Sequence, residues 1–81
     1  MYKRRLTLAT MKNKQSGVVV AIHGGMGLRT RLEAIGIPVG SLIIKKSSSL
    51  LGAGPVIVMV GNTEIAIGHG MASRIFVEVD Q

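Results

Sequence analysis

Few residues in this chain can do chemistry. The only imidazoles are His23 and His69, and the carboxylates are Glu33, Glu64, Glu78 and Asp80. A divalent transition metal takes imidazole nitrogen together with carboxylate oxygen, so His23, His69 and Glu64 are the candidate ligands for ferrous iron or zinc. Their spacing matches no ordered site, since neither H-x3-H nor HExxH occurs. A set this dispersed holds a metal weakly or needs a second chain to complete it. Both histidines also sit in glycine-rich corners, His23-Gly24-Gly25 and Gly68-His69-Gly70, so exposed turn residues are the competing reading.

Catalysis fares worse. There is no cysteine, and the one aspartate is next to last. No nucleophile, base and orienting group can be assembled from such a set, and no carboxylate pair is evident. The chain is expected not to be an enzyme. Gly24-Gly25-Met26-Gly27 imitates the glycine loop of a dinucleotide fold, but its spacing is not G-x-G-x-x-G and no acid follows about twenty residues on. A turn is the simpler account.

The elements that must carry these residues are short. Gly17–Ile22 is an apolar run of strand length, and Leu28, Leu32 and Ile35 trace one face of a brief helix. Gly36 stands where a left-handed residue would end that helix, with Ile37 folding back on Leu32 and Pro38 forbidding continuation. Strands follow at Leu42–Lys46, Pro55–Val60, Glu64–Ile67 and Arg74–Val79, with Gly61-Asn62 closing a hairpin. Gly68–Ala72 is a corner with room for one helical turn. The reading is mainly β, a small barrel of about five strands with one short α-helix. Residues 1–81 form a single domain, and residues 1–5 are a basic, flexible terminus.

Composition supports this. The 81 residues are 47% hydrophobic with 11 glycines and only Tyr2 and Phe76 as aromatics, so the core is aliphatic and the turns are tight. No secretory leader or membrane-spanning run is visible, and the absence of cysteine fits a reducing compartment. Net charge is +6, with Lys3, Arg4, Arg5, Lys12 and Lys14 crowded at the start. A nucleic-acid arm, an attraction to anionic membrane and plain solubilising charge are the three readings. Base readout is disfavoured, because the strands carry one aromatic for stacking. Val18–Ile22 and Val56–Val60 are apolar at both parities, although a small barrel has one interior. Either the helix and the Leu50–Leu51 loop cover the outward set, or Ile57 and Met59 belong to a partner surface. Arg29 and Arg31, on the polar side of the helix, are the charged candidates for such a surface.

The run Gly17-Val18-Val19-Val20-Ala21-Ile22, then Arg31-Leu32-x-x-Ile35-Gly36-Ile37-x-x-Gly40, then Gly54-Pro55-Val56-x-Val58, resembles the FeoA family. Glu64-Ile65-Ala66-Ile67 and Ala72-x-x-Ile75-x-Val77 extend the likeness across Leu6–Glu78. The resemblance implies an SH3-like barrel that supports ferrous iron uptake from the cytoplasm. The implied partner is the membrane transporter, ferrous iron transport protein B, with its G-protein domain, and recruitment to the inner membrane face follows from it. The same module ends some metal-dependent repressors, so a metal-binding regulatory role is the alternative. Two residues depart from the family pattern: Lys14 stands where glycine is common before the first strand, and His69 where arginine is frequent.

Overall fold

The chain leaves its first strand by a threonine turn, in which Thr7 and Thr10 bond each other's backbone and hydroxyl groups. This computed structural model describes residues 2–48 and 54–80. In chain order the elements are β1 (Lys3–Thr7), β2 (Ser16–Ile22), α1 (Gly25–Ala34), β3 (Leu42–Ser47), β4 (Val56–Val60), β5 (Thr63–Ile67), α2 (His69–Ala72) and β6 (Ile75–Asp80). The strands make one antiparallel sheet in the order β1-β6-β2-β3-β4-β5.

Two expectations are corrected here. Among the described residues there are six strands where about five were expected, because Lys3–Arg5 begin β1 instead of trailing as a flexible terminus. A strand with three cations in five residues has poor sequence credentials, yet it is an edge, where charge is tolerated and blocks stray pairing. The second correction concerns closure. The sheet has two edges, β1 and β5, and hydrogen bonds do not join them into a complete barrel.

What closes the core is the segment between β1 and β2. Leu8 and Met11 are buried in the same cluster as Val19, Ile43, Val58 and Val77. That segment is held by an unusual residue. Lys45 in β3 is only 2% exposed, and its Nζ donates to the carbonyls of Ala9 at 3.0 Å and Met11 at 2.7 Å. The backbone adds two bonds, Lys14 N–H to the Lys45 carbonyl at 2.6 Å and Lys45 N–H to the Gln15 carbonyl at 2.9 Å. Burial pushes the Lys45 pKa below its ordinary value, because the charged form loses hydration.

The helix ends as its sequence requires. Gly36 has φ 101°, the Ile37 N–H reaches the Leu32 carbonyl at 2.8 Å, and the Gly36 N–H reaches the Glu33 carbonyl at 3.1 Å. This is the paired 6→1 and 5→2 pattern of a Schellman motif, and Ile37 and Leu32 are both fully buried. Ile35 departs from the expected apolar face: it is 41% exposed at the C-cap, so Leu32 and half-buried Leu28 carry the packing. Gly40, at φ 99°, then turns the chain, with the Ser41 N–H on the Pro38 carbonyl. Gly61, at φ 61°, closes the two-residue β4–β5 hairpin. Lys14 takes φ 72°, a left-handed conformation that a glycine would adopt without strain.

Opposite substitutions at two of the left-handed positions, Gly36 and Lys14, should shift stability in opposite directions. Gly36→Val should lose about 1–2 kcal/mol, whereas Lys14→Gly should gain up to about 1 kcal/mol, in urea denaturation. Lys45→Met leaves the Ala9 and Met11 carbonyls without their donor, an expected loss of about 1–3 kcal/mol at neutral pH. The pH dependence identifies the cause. A lowered folded pKa means that the unfolded chain binds more protons between that value and 10.5, so this residue's contribution becomes more favourable as pH rises through the window. The neutral amine still has two N–H donors for the carbonyls. The wild type's advantage over Lys45→Met should therefore widen with rising pH, as denaturation at pH 7 and pH 10 would show.

Candidate docking face

Residues opposed across antiparallel strands share a face of the sheet, so the register maps the outer surface. Val18 stands opposite Leu42, Ile44 opposite Met59, and Ile57 opposite Ala66. These six alternate with the inward set of Val19, Ile43, Val56 and Val58. The outward residues remain in water: Leu42 is 62% exposed, Ile44 40% and Val18 38%, with Ala66 exposed and Ile57 and Met59 half-buried. The double apolar parity of β2 and β4 thus gives an apolar outer face. Helix α1 does not cover it, because Leu32 and Leu28 tie that helix to the core. Leu50 and Leu51, the other expected cover, lie outside the described residues.

Carboxylates mark the margins of this face. Glu64 stands opposite Met59, and Glu78 opposite Val18. Glu78 is 3.9 Å from Arg5, whereas Glu64 has no ion-pair partner among the described residues.

The candidate metal ligands are dispersed. His23 follows β2, exposed, with its ring 4.4 Å from that of Phe76 and its backbone N–H donating to the Arg74 carbonyl at 2.9 Å. His69 opens α2, and Glu64 lies on β5. Among the described residues no three His, Asp or Glu side chains are placed to hold a metal, so these three are not brought together. The glycine loop serves backbone geometry: Gly24 has φ 132° and Gly25 φ 85°, and a Cβ on Gly24 would stand 2.8 Å from Leu28 Cδ2. Arg29 and Arg31 are exposed on α1, and Arg29 Nε is 3.5 Å from Glu33 Oε1 within the helix. They are not part of the apolar face. Sequence reasoning named Ile57 and Met59 and flagged the double parity of the run that contains Val18, but missed Leu42 and Ile44, whose only signal was the parity of β3.

The FeoA domain profile matches residues 6–79. The chain belongs to the FeoA family. A curated protein of Methanocaldococcus jannaschii that carries the name Fe(2+) transport protein A is 37% identical over 73 residues, covering 88% of this chain and 83% of that protein. Among solved structures, an iron uptake regulatory protein of the FeoA family superposes with TM-score 0.82 at 34% identity, covering 94% of this chain and 99% of that one. The FeoA of Stenotrophomonas maltophilia, described as a prokaryotic SH3 domain protein and crystallised with zinc, superposes with TM-score 0.72 at 27% identity, over 89% and 88% of the two chains. A manganese-dependent transcriptional repressor gives TM-score 0.85 at 18% identity, with 99% of this chain and 44% of that one covered, a likeness of fold alone. The FeoA assignment makes the fold mainly β and SH3-like, and places the chain in ferrous iron transport. No helix among the described residues is long and apolar enough to cross a membrane.

Dispersed ligands set the expected behaviour towards metal. Titration with zinc or ferrous ion, followed by backbone amide shifts, should show weak and independent changes at His23 and His69. Tight binding at one ion per chain, lost in His23→Ala with His69→Ala, would show that the chain rearranges to build a site.

Proposed function

We propose that this chain is a non-enzymatic accessory protein of ferrous iron uptake, which docks from the cytoplasm on the G-protein domain of ferrous iron transport protein B. Family membership supports the pathway. The observation that carries the docking is the outer face of the sheet, where a domain of 81 residues leaves Leu42 62% exposed beside Ile44 and Val18. Isolated exposed leucines are ordinary, but a contiguous apolar face on so small a domain marks an interaction surface. Regulation through a bound metal is the weaker reading. It draws on the zinc-bound relative and the repressor likeness, whereas His23, Glu64 and His69 do not converge.

Electrostatics assists such docking. With net charge +6 and Arg29 and Arg31 exposed on α1, the chain would be steered towards an acidic surface. Calorimetric titration of the chain into the transporter's soluble G-protein domain should give a complex in the micromolar range, about −8 kcal/mol. Arg29→Glu with Arg31→Glu should weaken it several-fold at low salt and much less at high salt. The same pair should change folding stability by no more than about 0.5–1 kcal/mol, part of it from the lost Arg29–Glu33 contact. An absence of binding at several hundred micromolar would refute the docking reading. A sharply lowered thermal midpoint would instead make the arginines structural.

A further inference from the structure

The apolar outer face has a definite extent and a definite charge, and together these select its occupant. From Val18 on β2 to Ala66 on β5 the face crosses three inter-strand steps, about 14 Å at ordinary sheet spacing. A helix of roughly ten residues, near three turns, has that length. The six outward side chains leave on the order of 400 Å² of apolar surface in water, about half of what each partner buries in a standing dimer. That area suits a single helix and falls short for a second copy of the chain, which would also bring another net charge of +6.

Charge gives the second constraint. The molecule is strongly basic, yet the paired outward positions of β2 to β5 carry one charged side chain, the carboxylate of Glu64. Lys46 lies beside the face, at the β3 irregularity between Lys45 and Ser47. Glu64 is exposed next to Met59, with no cation paired to it among the described residues. An apolar stripe with a carboxylate at its margin complements an apolar stripe with an ammonium or guanidinium at its margin.

We propose that the outer face formed by Val18, Leu42, Ile44, Ile57, Met59 and Ala66 receives an amphipathic partner helix of about three turns, whose flanking Lys or Arg pairs with Glu64. The ligand sits on side chains of the sheet, in the helix-on-surface mode, and not on the backbone edge of β5. This rests on the reading of the chain as a docking protein and adds the surface and the chemistry of what it receives.

Two synthetic helical peptides of leucine, alanine and glutamine serve as probes, identical except that two positions flanking the leucine stripe are Lys in one and Glu in the other. Overall charge alone would make a +6 protein prefer the Glu peptide. The proposal requires the reverse at physiological salt: the Lys peptide should bind at least fivefold more tightly, with amide shifts centred on Leu42, Ile44, Met59 and Glu64. Glu64→Lys should invert that order, and Leu42→Ser with Ile44→Ser should weaken both peptides at least tenfold. If the serine pair fails to fold, Glu64→Lys, at an exposed site, still decides the charge. Equal binding of the two peptides, shifts centred on exposed Met26 and Ile35, or self-association abolished by Ile44→Ser would each overturn the proposal. Binding of the transporter's G-protein domain that these variants leave unchanged would also overturn it, while the docking reading itself stood.

Discussion

The Lys45 ammonium lies inside the curve of the sheet, bonded to the carbonyls of Ala9 and Met11, and the geometry of the fold converges on it. β1 and β5 do not pair, so the β1–β2 connection must complete the enclosure of the core. A connection of that kind runs past the apolar interior with carbonyls that no strand satisfies, and an orphaned carbonyl there is costly. A long amine-tipped side chain can reach such groups from β3 and offer several donors at once. The desolvation of the ammonium is the opposing term, visible in its lowered pKa. Leu8 and Met11 can be buried because that exchange holds their backbone in place.

The placement of Lys45 also sets the parity of β3. β3 carries two adjacent lysines, so a rule that points charge outward cannot choose its parity: it can hold for Lys45 or for Lys46 but not for both. The structure buries Lys45 beside Ile43 and leaves Lys46 exposed with Leu42 and Ile44. The burial of Lys45 therefore sets which side chains of β3 join the apolar outer face. This explains why the face was only half legible in the sequence. The dual apolarity of β4 exposed Ile57 and Met59 to inspection, but β3 reads as an ordinary strand with a charged end until the hydrogen bonds of Nζ are seen.

Local rules succeeded where few residues decide the outcome. Gly36-Ile37-Pro38 permits essentially one helix ending, and the hairpin at Gly61-Asn62 is similarly constrained. The alternation of Ile75, Val77 and Val79 required no tertiary information. β1 was missed because Lys3-Arg4-Arg5 contributes almost nothing to strand propensity, and its pairing to β6 comes from the far end of the chain, Lys3 opposite Asp80 and Thr7 opposite Phe76. The dispersal of the candidate metal residues was hidden for a related reason: spacing in sequence cannot show that His69 opens a corner helix while Glu64 lies on an edge strand. Lys14 is the informative middle case. Its departure from glycine was visible in the sequence, but its cost depends on a backbone torsion that only the structure supplies.

The unequal edges of the sheet bear on how the protein can assemble with itself. Head-to-tail growth by strand addition would join the β1 edge of one molecule to the β5 edge of the next, repeating without limit. β1 presents Lys3, Arg4 and Arg5 in succession, and a neighbour's strand could reach its backbone only by crowding and dehydrating those cations. β5 has no comparable barrier, but a single open edge can terminate only in a pair. The chain thus leaves one side of its sheet accessible while denying itself the second junction that a filament needs.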